Sequence, residues 1–200
     1  MQAFTTLNAT ALPLNLANVD TDQIVPARFL GLPRAEQREA MFRDLRFDTQ
    51  GQPKPDFVMN QPGHAGAQIL VADHNFGCGS SRENAVTVML DNGFRAFVAP
   101  SFGDIFFNNC FQNGALPVVL PADTLARWRE WLTQRPGGRI RIDLAQQTIC
   151  GPDGCTHAFA IDPLRKQCLL QGVDDIGLTL GYDTQISRFE ERRRIDAPWL

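Results

Sequence analysis

QILVADHNFGCGSSRENAVTVMLDNG, residues 68–93, is the stretch on which the reading of this chain turns. Ile69, Leu70, Val71 and Ala72 make the apolar run of a buried strand, closing at Asp73 and His74. Gly77 and Gly79 permit a tight turn in which the backbone can approach a ligand closely. Ser80 and Glu83 then have capping-box spacing, and residues 85–90 read as a helix stopped by Asn92-Gly93. The unit is strand, glycine turn and helix start, with two hydroxyls and a guanidinium at the helix mouth. Unpaired amides and the positive end of the helix dipole suit that mouth to an anion, or to an anionic form of serine.

A capping box by itself is structural, and glycines before a helix often serve only close packing on the strand. The density of polar residues argues for more. Gly-Cys-Gly-Ser-Ser-Arg-Glu holds no apolar anchor, and Arg82 sits at the wrong end of the dipole. That placement costs roughly a few tenths of a kcal/mol unless an anion compensates it. A ligand carboxylate or phosphate is indicated, without a choice between them. G-x-x-x-x-G-K-[ST] is absent, which excludes a P-loop, and G-x-S-x-G is absent, which excludes a hydrolase elbow. Among the three histidines, His64 lies in a Pro/Gly loop and His157 in a hairpin strand, and both read as surface residues.

The 200 residues suit one domain, 1–200, with a full core. The net charge of −3, with no basic tract before the C-terminus, points away from nucleic acid. No apolar run reaches the ~18 residues of a membrane span, and MQAFTTLNAT lacks a signal-peptide pattern, so a cytoplasmic location is expected. The five cysteines, Cys78, Cys110, Cys150, Cys155 and Cys168, form no C-x-x-C pair and no zinc site. A disulfide across Cys150 and Cys155 is not expected in that compartment. An iron–sulfur cluster needs about three or four clustered cysteine ligands. Any cluster must therefore come from another polypeptide, and no metal is assigned to this chain.

Along the chain, residues 11–17 (ALPLNLA) give a short strand leading into NVDTDQIVP. There Asp20 and Asp22 flank Thr21 in a turn, and Pro26 stops an early helix. Arg28 precedes FLGLP, an exposed-looking apolar loop. Residues 34–47 carry Met41, Phe42 and Leu45 at helical spacing and predict one amphipathic helix. Residues 48–67 are a Pro/Gly-rich loop, too long for a simple connector and expected to pack over the site or against a partner. FRAFVAP (94–100) and LPVVLP (116–121) are further strands. Between them SFGDIFFNNCFQNG starts with Ser101 and Asp104 in cap-like spacing and forms a helix with Ile105, Phe106 and Phe107 in the core. ADTLARWREWLTQRPGG is an amphipathic helix. RIRIDLAQQTIC and CTHAFAI pair as a hairpin around Pro152-Asp153-Gly154. Two helical segments close the chain, the second running into a C-terminal helix and tail over 182–200. The fold class is α/β with a mixed sheet.

NFGCGSSRE followed by GFRAFVAPSFGDIFFNNCFQNGALPV resembles the swivelling domain of the aconitase superfamily. The upstream NVDTDQIVPARFL and the length resemble the small subunits of isopropylmalate dehydratases, over residues 18–181. The resemblance implies a swivelling fold in β/β/α layers and a hydro-lyase that isomerises 2- and 3-isopropylmalate through 2-isopropylmaleate in leucine biosynthesis. It implies Ser80 as general base, Ser81 as a neighbouring donor and Arg82 as the fork on a substrate carboxylate. Asp22 would orient Arg82 or water, and Arg28 would make a second carboxylate contact. Phe29, Leu30 and Leu32, apolar and without an evident helical or strand role, either face the alkyl group of a small dicarboxylate hydroxy-acid or merely pack on a large partner subunit. The implied [4Fe–4S] cluster sits on a large partner subunit. One departure stands out: the family commonly has His after the Glu, and here it is Asn84, which cannot titrate near neutrality. Two alternatives remain beside this reading. One is a sister dehydratase acting on citraconate/methylmalate, dimethylmalate or homoaconitate. The other is a non-catalytic anion-binding module of the same fold.

Overall fold

A computed structural model describes residues 1–197 and 199 of the chain. Seven strands form one mixed sheet in the order β4-β3-β2-β1-β5-β6-β7. They are β1 (Thr6–Pro13), β2 (Ile69–Val71), β3 (Ala96–Ala99), β4 (Leu116–Val119), β5 (Arg139–Asp143), β6 (Thr148–Cys150) and β7 (Thr156–Ala158). The helices are α1 (Thr21–Ile24), α2 (Arg34–Arg38), α3 (Arg43–Arg46), α4 (Glu83–Asp91), α5 (Asp104–Gln112), α6 (Ala122–Gln134), α7 (Pro163–Gln171), α8 (Asp175–Leu180) and α9 (Asp183–Asp196).

β1 joins two kinds of sheet. On one side β1, β2, β3 and β4 run parallel, with Ala11 opposite Ile69, Leu70 opposite Phe97 and Val98 opposite Val118. On the other, β5, β6 and β7 continue antiparallel, with Asn8 opposite Arg141. Composition follows pairing. β2 and β3 are buried at every position, as central parallel strands are, whereas β5 alternates exposed Arg139 and Arg141 with buried Ile140 and Ile142. Pro117 is tolerated because β4 is an edge strand. The side-chain period of two splits the core. Leu70 and Phe97 join Ile24, Phe76, Met89 and Phe106 on one face. Ile69, Val71 and Val98 join Leu125, Trp128 and Ile142 on the other.

Several sequence expectations shift. The first strand covers 6–13 rather than 11–17, because its polar first half pairs with β5. Residues 34–47 are not one helix. Phe42 adopts a left-handed φ of 52°, donates its amide to Ile24 O at 2.8 Å and is fully buried, so a long-range bond overrides the helical period. The 48–67 loop carries 3-10 turns at Val58–Asn60 and Pro62–His64 and packs Phe57, Val58 and Met59 on the chain's own core. His64 is not a surface residue: it is 3% exposed, and burial pushes its imidazole pKa down. His157 is half-buried, edge-on to Trp128 at 5.5 Å. Ile105 is exposed, not core, while Phe106 is buried.

RIRIDLAQQTIC is two strands, β5 and β6, and the hairpin at 152–154 joins β6 to β7. The final segment breaks into α8 and α9 at Gly181 and Tyr182, and none of the described residues of α9 is buried. The tail beyond Ala197 falls partly outside the described residues. Among those described, no helix is long and apolar enough to cross a membrane.

Candidate active site

The glycine turn after β2 is fixed by contacts that leave no room for a side chain. Gly77 has φ 73°, and a Cβ there would lie 2.3 Å from Phe106 Cγ. A Cβ on Gly103 would lie 2.5 Å from Gly77 O, so backbone packs directly on backbone. At the foot of the turn, Arg129 from α6 donates to Ala72 O at 2.9 Å and Asp73 Oδ2 at 2.8 Å. A charge-assisted contact at the strand end holds the point where the chain leaves the sheet.

A second loop clamps the turn from the side. Asp20 pairs with Cys78 in an isolated parallel bridge, Thr21 N donates to Cys78 O at 2.9 Å, and Thr21 Oγ1 donates to Ser80 O at 3.0 Å. Thr21 is buried and Asp20 caps α1: its carboxylate accepts from Gln23 N at 2.7 Å while Gln23 Oε1 accepts from Asp20 N at 3.0 Å. Residues 20–22 therefore open a short helix rather than forming only a turn, and Asp-x-x-Gln is the sequence signature of this reciprocal capping box. No signal in the sequence marks Thr21.

The capping box expected at Ser80 and Glu83 is absent. The N-cap of α4 is Arg82, with no side-chain cap bond, and Glu83 accepts from Asn113 Nδ2 at 3.0 Å. Ser101 likewise is no cap. Gly103 occupies that position, and Ser101 Oγ accepts from Asn75 N at 2.9 Å. Ser80 and Ser81 are consequently exposed on the turn, with neither hydroxyl engaged in capping.

The mismatch at Arg82 is answered from within the chain. Arg82 Nη1 donates to Asp22 Oδ1 and to Val25 O at 3.3 Å. The guanidinium is 16% exposed and the carboxylate 56%. The hydrogen bond from Arg82, then that from Ala27 N at 2.8 Å, hold the Asp22 carboxyl below the usual range. One nitrogen of the fork is thus used for orientation, and Nη2 and Nε carry the remaining donors.

Ser80, Ser81, Arg82 and Asp22 therefore come together. Arg28 lines a 420 Å³ cleft together with Asp20, Asp22 and Asp44, but both its Nη atoms are engaged by Asp44. The Asp44 hydrogen bond raises the pKa of Arg28, and the same bond lowers that of Asp44. Phe29 and Leu30 pack partly on the core, and Leu32 is 37% exposed. Asn84 turns away from the serines and donates to Gln37 Oε1 at 2.7 Å. Burial pushes the neighbouring Cys78 thiol up, so it is no ready thiolate. All five cysteines are free, and among the described residues no three His, Cys, Asp or Glu side chains converge as metal ligands.

The chain is similar to known proteins along its whole length. The aconitase C-terminal domain family matches residues 1–123, and the family of C-terminal domains from the 3-isopropylmalate dehydratase small subunit matches 175–200. The 3-isopropylmalate dehydratase small subunit of Paramagnetospirillum magneticum is 48% identical over 201 residues, covering 100% of both chains. That of Aromatoleum aromaticum is 49% identical, covering 100% of this chain and 98% of its own. The crystal structure of 3-isopropylmalate dehydratase from Methanocaldococcus jannaschii superposes with a TM-score of 0.67 at 25% identity, covering 92% of this chain and 99% of that one. With relatives this similar along its whole length, the chain belongs to the 3-isopropylmalate dehydratase small-subunit family.

Proposed function

We propose that this chain is the base-and-grip half of a cytoplasmic hydro-lyase that interconverts 2-isopropylmalate and 3-isopropylmalate through 2-isopropylmaleate in leucine biosynthesis. The observation that carries this is the exposed Ser80 hydroxyl, set on a rigid turn beside an arginine already oriented by Asp22. An ordinary serine is far too weak an acid to leave its proton for a carbon acid. Here the glycine-turn amides, the start of α4 and Arg82 supply positive potential where alkoxide charge would form. In the dehydration direction the Ser80 alkoxide takes the proton from the carbon beside the carboxylate and becomes the neutral hydroxyl, the C–H electrons form the double bond, and hydroxide leaves the neighbouring carbon. Rehydration with the opposite placement of proton and hydroxyl completes the isomerisation. Arg82 grips a substrate carboxylate through Nη2 and Nε, Ser81 donates beside it, and Asp22 keeps the fork in place.

Expulsion of hydroxide needs a Lewis acid. The scattered cysteines of this chain do not fit a cluster, so the [4Fe–4S] group belongs on the large subunit that the small-subunit name of the relatives implies. The open face at Ser80 and Ser81 suits a site completed by that partner, onto which a β/β/α swivelling domain would close. Asn84 is no obstacle, since its amide serves Gln37 rather than the substrate. Arg28, held by Asp44, is free for a second carboxylate only if closure breaks that pair. The 29–32 loop would supply the apolar wall for the isopropyl group, a reading supported by the exposure of Leu32.

Ser80→Ala, assayed with the large subunit, tests the assignment. Exchange of the substrate proton with solvent deuterium should vanish while the melting temperature holds, because Ser80 caps nothing. Retained exchange would remove Ser80 as the base.

A further inference from the structure

Gln37 on α2 is 7% exposed. Its amide nitrogen donates to two main-chain carbonyls, Leu30 O at 3.1 Å and Leu32 O at 2.8 Å, and its oxygen accepts from Asn84 Nδ2 at 2.7 Å. Carbonyls can only accept, so both hydrogens of Gln37 Nε2 are committed and the amide has a single orientation. That orientation presents an acceptor to Asn84, which must answer with its NH2 group. Asn84 is the second residue of α4, two positions after Arg82. A continuous chain of hydrogen bonds thus joins the first turn of α4 to both sides of Gly31.

Besides its own turn, in which Leu30 N donates to Ala27 O and Leu32 N to Phe29 O, each at 3.1 Å, the loop has little else at its tip. A Cβ added to Gly31 would meet nothing within 4 Å, and Leu32 is 37% exposed. Only its start is packed, through Phe29 and Leu30. The two carbonyls held by Gln37 therefore decide where the tip stands.

We infer that Asn84 and Gln37 are positioning residues for substrate choice: they set the stand-off of the 29–32 loop from Ser80 and Arg82, and with it the size of alkyl group admitted. This rests on the functional reading above and deepens it. Neither side chain touches the reacting atoms. Their effect passes through the carbonyls of Leu30 and Leu32, so it falls on the ratio of substrates and not on the proton transfer that every substrate shares.

Asn84→Asp is the discriminating change. It keeps the shape, and an acid is favourable in the first turn of a helix. It also sets a carboxylate oxygen against Gln37 Oε1, two acceptors with no proton between them. Asn84→His keeps a ring N–H donor and serves as the conservative rescue. In the complex with the large subunit, kcat/KM is measured for 3-isopropylmalate and for the methyl-substituted malate, with a melting curve for each variant. The Asp variant should lose about 10-fold of its preference for the isopropyl substrate, and the His variant should stay within ~2-fold of the parent ratio. An unchanged ratio in a folded Asp variant would overturn the inference, and so would equal losses in both variants. If the Asp variant does not fold, Gln37→Met cuts the chain from the other end and must move the ratio the same way; an unchanged ratio there is equally fatal. An inactive wild-type complex would overturn the functional reading and this inference with it, whereas an active wild type with unmoved ratios overturns the inference alone.

Discussion

Gly77→Ala should be among the most damaging single-methyl changes in the chain, and its cost can be divided into two parts. The first is the backbone. Gly77 has φ 73°, and alanine in the left-handed region costs roughly 1–2 kcal/mol. The second is overlap: the new Cβ would lie 2.3 Å from Phe106 Cγ and 2.6 Å from Phe106 Cβ. Phe106 cannot swing clear. It is 1% exposed, and its ring meets Phe76 at 5.2 Å and Phe97 at 5.5 Å. Overpacking of this kind costs about 1–3 kcal/mol, so the expected total is ~2–5 kcal/mol. Urea unfolding followed by tryptophan fluorescence reads the total, and a double-mutant cycle separates the parts. In a Phe106→Ala background the overlap with the ring is gone while that with Cβ at 2.6 Å remains, so Gly77→Ala should cost less than in the parent but still more than the backbone share of about 1–2 kcal/mol. Strict additivity between the two changes would refute the packing argument. A Gly77→Ala protein as stable as its parent would refute both parts together.

Three further outcomes follow from the same geometry. Arg82→Lys should cut kcat/KM of the reconstituted complex by at least ~100-fold, since an ammonium cannot hold Asp22 and a carboxylate in one plane; near-normal turnover would remove Arg82 from the mechanism. Burial lowers the His64 pKa, so the unfolded chain binds the proton more readily; stability is intact above about pH 6.5, falls as pH drops below it, and levels off once the folded pKa is passed. The slope of urea midpoint against pH should flatten in His64→Phe, and an unchanged slope would place the titration elsewhere. Leu32→Ala should weaken selection of the isopropyl substrate by about 10-fold or more with little loss of stability, because the side chain is exposed; a constant kcat/KM ratio would move the apolar wall to the partner chain.

What the sequence made readable here was local. Ile69, Leu70 and Val71 are buried on both faces, and an unbroken apolar run signals that without help from the rest of the chain. Gly77 and Gly79 both take positive φ, as a strand-to-helix turn built on glycine requires. Differences arise where a distant partner overrides a local pattern. Ser80 and Glu83 have the spacing of a box, yet Thr21 holds Ser80 O and Asn113 takes Glu83. Phe42 continues a helical period in sequence but is pulled left-handed by Ile24 O. His64 resembles loop surface in sequence because nothing in the local pattern shows that it is buried where it lines one cavity with Pro13, Leu14 and Phe57. The Asp22–Arg82 pair, 60 positions apart, comes from the family resemblance and not from spacing.

The same distinction bears on the proposed role of Ser80, a weak acid asked to do strong-base work. Neither nearby acid helps Ser80: the Cys78 thiol has a raised pKa, and Glu83 adds negative charge three residues on. What fixes it is the carbonyl side of its own backbone, held by buried Thr21, and a turn that Phe106 will not let move. With its carbonyl held and its hydroxyl in no capping bond, Ser80 stays exposed on the turn. Arg82 divides its donors in a complementary way, giving one nitrogen to Asp22 and Val25 O for aim and keeping two for a ligand. Preorganisation of this sort lets the donors act on charge as it develops, without reorientation at the moment of reaction. On the proposed function, a half-site with both serines exposed supplies the grip and the base, and a second subunit would bring the closing surface and the Lewis acid against it.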